Sequence, residues 1–533
     1  MNCLVVEWGE EMILIDCGIQ FPDASYSGVD LLTPDLAYVK RRIRHLKGVI
    51  ITHGHDDHIG GIPFLLREKN LDVYCTPFPE GLLRNKLAEY SDLKEITYHR
   101  IEPRVSFEVG SFRFDPIPVA HSIIEALGFA METPIGTIVH TGDFKHDPKE
   151  LVNGKALSFA PFAEWGDKGV LCLFSDSTNA ERMGHTLSEL DIATSFERLL
   201  GEQTARIFIA LFASNIKRIE KIMHIAHRQG KKVALGGRSM HSYTKLAFDQ
   251  SSLGIPPETL ILLEDLDRYP DNQVIILLTG SQAEPQSALV RISQDNHKEV
   301  EIKNGDTIIL SSRFIPGNER AITQMIDHLY RQGADVLYES FHQVHVSGHG
   351  CQDELMMMLE AVKPKCFVPI HGEYRHLAKH AKLARRVGVS EEQIKIIEDG
   401  QILEVSKDGL ALGEKLELEK GVVVDGLFMA GGRELFTQRA ALAKAGIVFL
   451  AVFKNARSHK LLADPIIATH GLLYQREINP AEAVLEAEKK AKEAYFKYAK
   501  EPDVVERLRI EMRRFFKKRV SYKPIVIPMI LEV

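Results

Sequence analysis

Four short apolar segments, far apart along the chain, each run straight into a cluster of ligand-type or acid–base side chains. Val49-Ile50-Ile51 leads into Thr52-His53-Gly54-His55, and Ile138-Val139 into His140-Thr141-Gly142-Asp143. Leu171-Cys172-Leu173-Phe174 leads into Ser175-Asp176-Ser177-Thr178-Asn179, and Phe367-Val368-Pro369-Ile370 into His371-Gly372-Glu373. Apolar, β-branched runs of this length read as buried strands. Reactive residues gathered at their C-terminal ends mark the edge of a layered α/β fold at which sites form.

The sharpest cluster is His53-Gly54-His55-Asp56-Asp57-His58. Its H-x-H-x-D-H pattern arises by chance only about twice in a thousand chains of this histidine content. Gly54 and Gly60-Gly61 let the backbone turn tightly. His55, Asp57 and His58 cannot share one face of a continuous strand or helix. A strand-to-helix turn can aim them at two neighbouring ions. The plainer alternative is a helix N-terminus with an exposed His/Asp cluster, capped by Asp56 or Asp57. His121, Asp143 and His371 sit at other expected strand ends, and each alone is an ordinary partly buried residue. Together with the first motif they bring five His and two Asp, which suits two adjacent ions with one carboxylate between them. Imidazole and carboxylate without thiolate fit zinc or manganese and argue against an iron–sulfur cluster. Such a pair of ions activates water and steadies charge on a phosphoryl group, so the implied chemistry is hydrolysis.

The remaining sequence divides by pattern. Between residues 187 and 337 strand and helix alternate, with strands expected over 207–212, 232–235, 274–278 and 307–310 and helices over 216–228 and 319–331. Residues 403–425 read as short strands, and 426–432, with Gly431-Gly432, as a linker. The tail offers a strand (447–453), helices over 481–500 and 503–520, and a last strand (525–531) that Pro528 places at a sheet edge. The net charge of −7 argues against a nucleic-acid binder, but it is uneven. Residues 441–533 hold 18 Lys+Arg against 11 Asp+Glu, a balance of +7 that leaves −14 on the rest. Arg513-Arg514-Phe515-Phe516-Lys517-Lys518-Arg519 is the densest basic run. It reads either as solvated flanks of a helix with the stripe Val504, Val505, Leu508, Met512, Phe515 and Phe516, or as a direct phosphate contact. No apolar run reaches 18 residues, so no membrane span is expected. The acidic residues Glu7, Glu10 and Glu11 speak against a signal peptide. Six cysteines without paired spacing point to a reducing, cytoplasmic setting.

These residues resemble the metallo-β-lactamase superfamily, its β-CASP nuclease branch, and within that the ribonuclease J family. The landmarks fall in order: Asp16-Cys17-Gly18; His53 to His58; His121-Ser122; Thr141-Gly142-Asp143-Phe144-Lys145; Ser175 to Ala180; Phe212-Ala213-Ser214-Asn215; Thr279-Gly280-Ser281-Gln282; Ile315-Pro316-Gly317-Asn318-Glu319; His345-Val346-Ser347-Gly348-His349-Gly350; and His371-Gly372-Glu373. The likeness continues to Pro528-Met529-Ile530-Leu531-Glu532-Val533. It implies an α/β protein with a metallo-β-lactamase αββα sandwich (1–184 and 345–425), an inserted β-CASP α/β domain (185–344), a linker (426–440) and a small α+β C-terminal domain (441–533). Family members usually have an extra glycine-rich strand before the segment matching Met1-Asn2-Cys3-Leu4. Here either the start is assigned late or the sheet lacks that strand, which would leave backbone groups unpaired beside the site.

The resemblance also implies the site. His53, His55, His121 and Asp143 would hold one ion, and Asp57, His58, Asp143 and His371 the other, with Asp16 orienting a ligand. His349 would serve the scissile phosphate as general acid or charge stabiliser with Asp176 as its partner, and Asp57 joins them in the catalytic set. His345, Val346, Ser347, Gly348 and His349 would bind substrate, the loop offering backbone N–H groups to phosphate. The implied activity is 5′-to-3′ exonucleolytic and internal cleavage of single-stranded RNA in its maturation and decay, leaving 5′-phosphate products. Two divalent ions per subunit, zinc before manganese, would be its cofactors. Implied partners are RNA, further copies of the chain as a dimer or tetramer through the C-terminal domain, and components of an RNA-degradation complex. A small-molecule metallohydrolase is the alternative enzyme, and a non-catalytic RNA-binding subunit the alternative class.

Overall fold

The computed structural model describes residues 1–22, 26, 28–91, 93–149, 151–152, 155–250, 253–254, 256–315, 317–339, 343–429, 433–458 and 460–533. The chain forms two compact units, one of Met1–Phe21 with Leu31–Gly421, the other of Pro22–Asp30 with Val422–Val533.

In the larger unit two sheets face each other. One has the order Leu4–Trp8, Glu11–Ile15, Leu46–Ile50, Leu71–Cys75, Ile96–Arg100, with Leu4–Trp8 at its edge. The other runs Cys366–Ile370, Cys172–Asp176, Gly136–His140, Leu127–Thr133, Phe112–Pro118, Phe107–Val109. Alternation along each strand splits its side chains between two cores. Ile138, Cys172, Phe129 and Val368 meet Ile13 and Ile50 of the facing sheet. Their chain neighbours Val139, Leu173, Ala130 and Phe367 meet Phe162, Trp165, Leu355, Leu359 and Leu383 from helices on the other side. The strands bearing Asp143, Asp176 and His371 at or beyond their ends lie side by side and parallel. Their C-terminal ends therefore open on one rim.

Inserted between Cys172–Asp176 and Cys366–Ile370 is a second layered body. Its sheet has six strands in the order Leu260–Ile261, Lys232–Gly236, Val274–Leu278, Ile207–Ala210, Thr307–Leu310, Asp335–Tyr338. All pair in parallel. The helices Ile216–Arg228 and Glu319–Arg331 fall where periodicity places them. Gln401–Val405 and Leu410–Lys415 form an antiparallel pair, and Leu403, Val405 and Leu410 pack onto the core between the two sandwich sheets.

In the smaller unit a three-stranded sheet, Ile466–His470, Ile447–Lys454, Ile525–Glu532, packs on the helices Pro480–Tyr498 and Val504–Val520. Ala487, Ala491 and Ala494 meet Leu508, Met512 and Phe516. Pro528 lies on an edge strand, where its missing N–H costs no ladder bond. Val505, placed in the apolar stripe by its spacing, is instead 38% exposed. The buried line closes at Val520, four residues past Phe516. Arg513, Arg514, Lys517 and Lys518 are exposed, whereas Arg519 pairs with Glu486. The expected linker also differs. Gly431-Gly432, like Pro316, lies outside the described residues, and a helix occupies Arg433–Ala445. That stretch holds four Ala, two Leu and two Arg, whose helix propensity outweighs the break signal before it. Among the described residues no helix is long and apolar enough to cross a membrane.

Candidate metal centre

The first motif turns from strand to helix as its spacing requires. Leu46–Ile50 ends, and a one-turn helix Asp56–Ile59 begins with His55 as its extended N-cap residue. Asp56 and Asp57 thus fall in the first turn rather than at the cap, and Asp56 pairs with Lys86 at 2.7 Å. The segment Asp16-Cys17-Gly18 clamps this turn from below. Cys17 N–H donates to His58 O (2.7 Å) and Ile19 N–H to Asp56 O (3.0 Å). A Cβ on Gly18 would lie 1.6 Å from Asp57 O, so only glycine fits there. Asp16 and His371 hold left-handed backbone, φ 61° and 53°. Strain of that kind on non-glycine residues persists only where surrounding contacts enforce it.

The side chains converge. His55 Nδ1 lies 3.0 Å from His53 Nε2 and 3.2 Å from His121 Nε2. The carboxylate of Asp143 stands between this group and a second one. Its Oδ2 is 3.7 Å from His53 Nε2, 3.8 Å from His121 Nε2 and 3.3 Å from His58 Nε2, while its Oδ1 is 3.0 Å from His371 Nδ1. Asp57 Oδ2 closes the second group, 3.5 Å from His58 Nε2 and 3.4 Å from His371 Nε2. Ligand-type atoms of His53, His55 and His121 lie within 4.8 Å of one another, as do those of Asp57, His58 and His371. Asp143 also groups with His53 and His58, and with Asp176, His349 and His371.

Surrounding groups fix which ring nitrogen faces inward. Asp16 accepts from Thr52 N–H and Oγ1 (both 2.8 Å), and its Oδ2 lies 2.6 Å from His58 Nδ1, which turns His58 Nε2 toward Asp57 and Asp143. His121 Nδ1 lies 2.7 Å from the Gly348 carbonyl, which leaves Nε2 for His55 and Asp143. Such partners set tautomer and ring orientation. Burial holds His53 and His121 well below the usual imidazole range and His55 at about 4. These three rings are neutral and present lone pairs. In the second group burial also presses the rings down, but Asp143 and its neighbours prevail and lift His58 to about 10 and His371 well up. A divalent ion there would displace those protons, the ordinary linkage of metal binding to pH. Converging neutral imidazoles beside shared carboxylates therefore fit divalent metal.

His349 stands over this centre. Its Nδ1 lies 2.7 Å from Asp176 Oδ2, and Thr178 N–H and Oγ1 donate to Asp176 Oδ1 at 2.9 and 2.7 Å. Burial opposes the charged imidazolium, but Asp176 outweighs it and raises His349. The loop that carries His349 is more engaged than its glycines suggest. His349 N–H donates to Ser347 Oγ and Gly350 N–H to Phe144 O, while among the described residues the N–H groups of Ser347 and Gly348 meet no acceptor. Val346 O accepts from Arg218, and His345 Nδ1 lies 3.2 Å from the same guanidinium.

Several contributors have roles that the sequence does not assign. Asn179 Nδ2 donates to Ser347 Oγ and His349 O, both at 2.8 Å. Asn2 Nδ2 reaches His58 Nε2 at 2.9 Å. Buried Glu354 gathers Thr186, Cys351 N–H and His146 N–H beneath the loop. Only the Ser-x-Asn spacing after the Cys172–Asp176 strand hints at Asn179.

Four family models match along the chain in order. They are a beta-lactamase superfamily domain over residues 11–194, the ribonuclease J beta-CASP domain over 204–329, a Zn-dependent metallo-hydrolase RNA specificity domain over 333–397, and the ribonuclease J C-terminal domain over 435–533. Ribonuclease J of Thermus thermophilus is 37% identical over 100% of this chain and 93% of its own. Ribonuclease J2 of Bacillus subtilis is 34% identical over 100% and 96%. A crystal structure of a protein of unknown function from Enterococcus faecalis, 15% identical, matches 77% of this chain and 96% of its own with a TM-score of 0.50, a likeness of fold alone. A metallo-β-lactamase sandwich with a divalent-metal site, interrupted by a β-CASP domain, defines a hydrolytic nuclease. The chain belongs to the ribonuclease J family, and is a metal-dependent ribonuclease.

Proposed function

We propose that this ribonuclease cleaves single-stranded RNA both from the 5′ end and internally, and leaves 5′-phosphate products. Two divalent ions per subunit, zinc before manganese, would supply water activation and charge neutralisation at the phosphoryl group. The observation that carries this reading is Asp143, with one carboxylate oxygen toward the His53, His55 and His121 group and the other toward His371. Asp57, its side chain 41% exposed, is open to solvent and placed to take a proton from the attacking water. His349, charged through Asp176, keeps an N–H at Nε2 and would pass that proton to the departing 3′-oxygen. The Ser347 and Gly348 N–H groups would hold a non-bridging phosphate oxygen.

RNA, further copies of the chain, an RNA-degradation complex and the cytoplasm complete the proposal. The RNA specificity domain match supports the first, and six cysteines free of disulfides the last. The test is a cleavage assay on 5′-monophosphorylated RNA beside a generic lactone, with metal content measured on the same preparation. His55→Ala is expected to abolish cleavage and retain RNA binding. Unchanged cleavage in that variant, or 3′-phosphate products, would overturn the assignment.

A further inference from the structure

A second feature of the larger unit is not part of the metal centre. Beyond the C-terminal end of the strand Lys232–Gly236 lies an open surface cavity of about 500 Å³, lined among others by the exposed Arg238, His241, Lys245 and Glu299 and the partly buried Arg291 and His297. Three full cations and two imidazoles face one carboxylate. Other cations of the same body are matched, as in Arg206–Asp306, Arg218–Glu189, Arg228–Glu197 and Lys303–Asp271. Among the described residues no ion pair engages Arg238, Lys245 or Arg291. Arg291 Nε is shut off from solvent with no acceptor in reach. The Arg291 side chain as a whole is only partly buried, so its guanidinium charge stays open to an anion in the cavity.

Two further observations agree. The helix Arg238–Asp249 starts at Gly237, φ 101°, with no side chain capping it, and Gly237 itself lines the cavity. Its first N–H groups and dipole favour an anion. No Phe, Tyr or Trp lines the cavity, so it offers charge to a phosphate but no aromatic face to a base. This concentration of cations sits in a segment of the chain whose balance is −14. A local field of this kind recruits an anionic ligand despite the average.

We propose that this cavity is a phosphate-binding site separate from the metal centre. Its position gives it a use. Ser242 of the cavity accepts a hydrogen bond from Asn85 Nδ2 (3.1 Å) on the helix Pro77–Leu87. The next residue, Lys86, holds Asp56 of the metal motif, and Leu82 of the same helix lies against Gly54. The helix Pro77–Leu87 thus contacts both the helix that lines the cavity and the metal motif, so an RNA backbone running between them would meet both sites. The RNA source rests on the ribonuclease reading; a free phosphate compound is the other source of the same chemistry.

The test uses the full, metal-loaded chain in four forms: wild type, the triple variant Arg238→Gln/Lys245→Gln/Arg291→Gln, Asp57→Asn and Arg291→Lys. Calorimetric titration with inorganic phosphate is expected to show one equivalent lost in the triple variant and retained in Asp57→Asn, with the triple variant's melting temperature unchanged. Arg291→Lys, which keeps the charge, retains it too. Anisotropy with a hydrolysis-resistant phosphorothioate oligoribonucleotide then separates the sources. An RNA site predicts that the slope of log affinity against log salt falls by roughly 2, at about 0.7 for each lost contact to a single strand. An unchanged slope with phosphate binding lost assigns the site to a free phosphate compound. Equal phosphate stoichiometry and affinity in the wild type and the triple variant would refute the site. Phosphate binding is read without cleavage, so a failure of the ribonuclease reading stays distinguishable.

Discussion

Arg218 links the β-CASP body to the loop that carries His349, and its removal makes the sharpest prediction. It is 1% exposed, and its fork grips Glu189 through Nη2–Oε1 at 2.7 Å and Nε–Oε2 at 3.2 Å. The remaining donors reach Ser311 O (3.0 Å) and Val346 O (3.2 Å). Glu189 is 7% exposed, so Arg218→Met strands a buried carboxylate. Breaking such a pair costs about 3–5 kcal/mol, whereas replacing both partners by apolar groups is close to neutral. Urea unfolding should show that loss for Arg218→Met and recovery of most of it in Arg218→Met/Glu189→Leu. The pH dependence has a definite sign. Burial raises the Glu189 carboxyl, but Arg218 outweighs it and holds it below 4.5. The pair's contribution is therefore full above the unfolded value and fades as pH falls through the depressed one, so wild type and Arg218→Met converge in acid. Cleavage should fall about 100-fold, mostly in kcat, because a shift of order 1 Å at the loop after Val346 displaces His349. A loss under about 1 kcal/mol, or a double variant as unstable as the single, refutes the reasoning.

Three other outcomes follow from the same structure. Asp176→Asn removes the charge that lifts His349 against burial, so kcat should drop roughly 10²- to 10⁴-fold and its alkaline limb should move to lower pH, read from a pH–rate profile. Chelation should lower the melting temperature, and zinc or manganese should restore it in a concentration-dependent way, by about 2.7 kcal/mol at a hundredfold excess over Kd; a melting temperature indifferent to metal contradicts the site. Ala487→Leu places a branched side chain where Ala487 is 0% exposed against the Val504–Val520 helix; overpacking should destabilise the smaller unit by about 1–3 kcal/mol, measured by its urea unfolding, with cleavage per folded molecule unchanged.

The sequence by itself determined the elements and the donor types. Four strands of the sandwich, the helices Ile216–Arg228 and Glu319–Arg331 and the edge position of Pro528 follow from periodicity and backbone chemistry, which are local. So does the turn of His53 to His58, because its spacing excludes a single face. Only the tertiary structure decided which nitrogen of each ring faces the centre. Those choices rest on Asp16 beneath His58 and on Gly348 behind His121, contacts across 42 and 227 residues. The hold of Asn179 on the His349 loop, the pairing of Arg218 with Glu189, and the cavity whose cations find no carboxylate partner among the described residues were equally hidden. A single polar residue carries no period, and its partner is chosen by how the layers pack rather than by its neighbours in the chain.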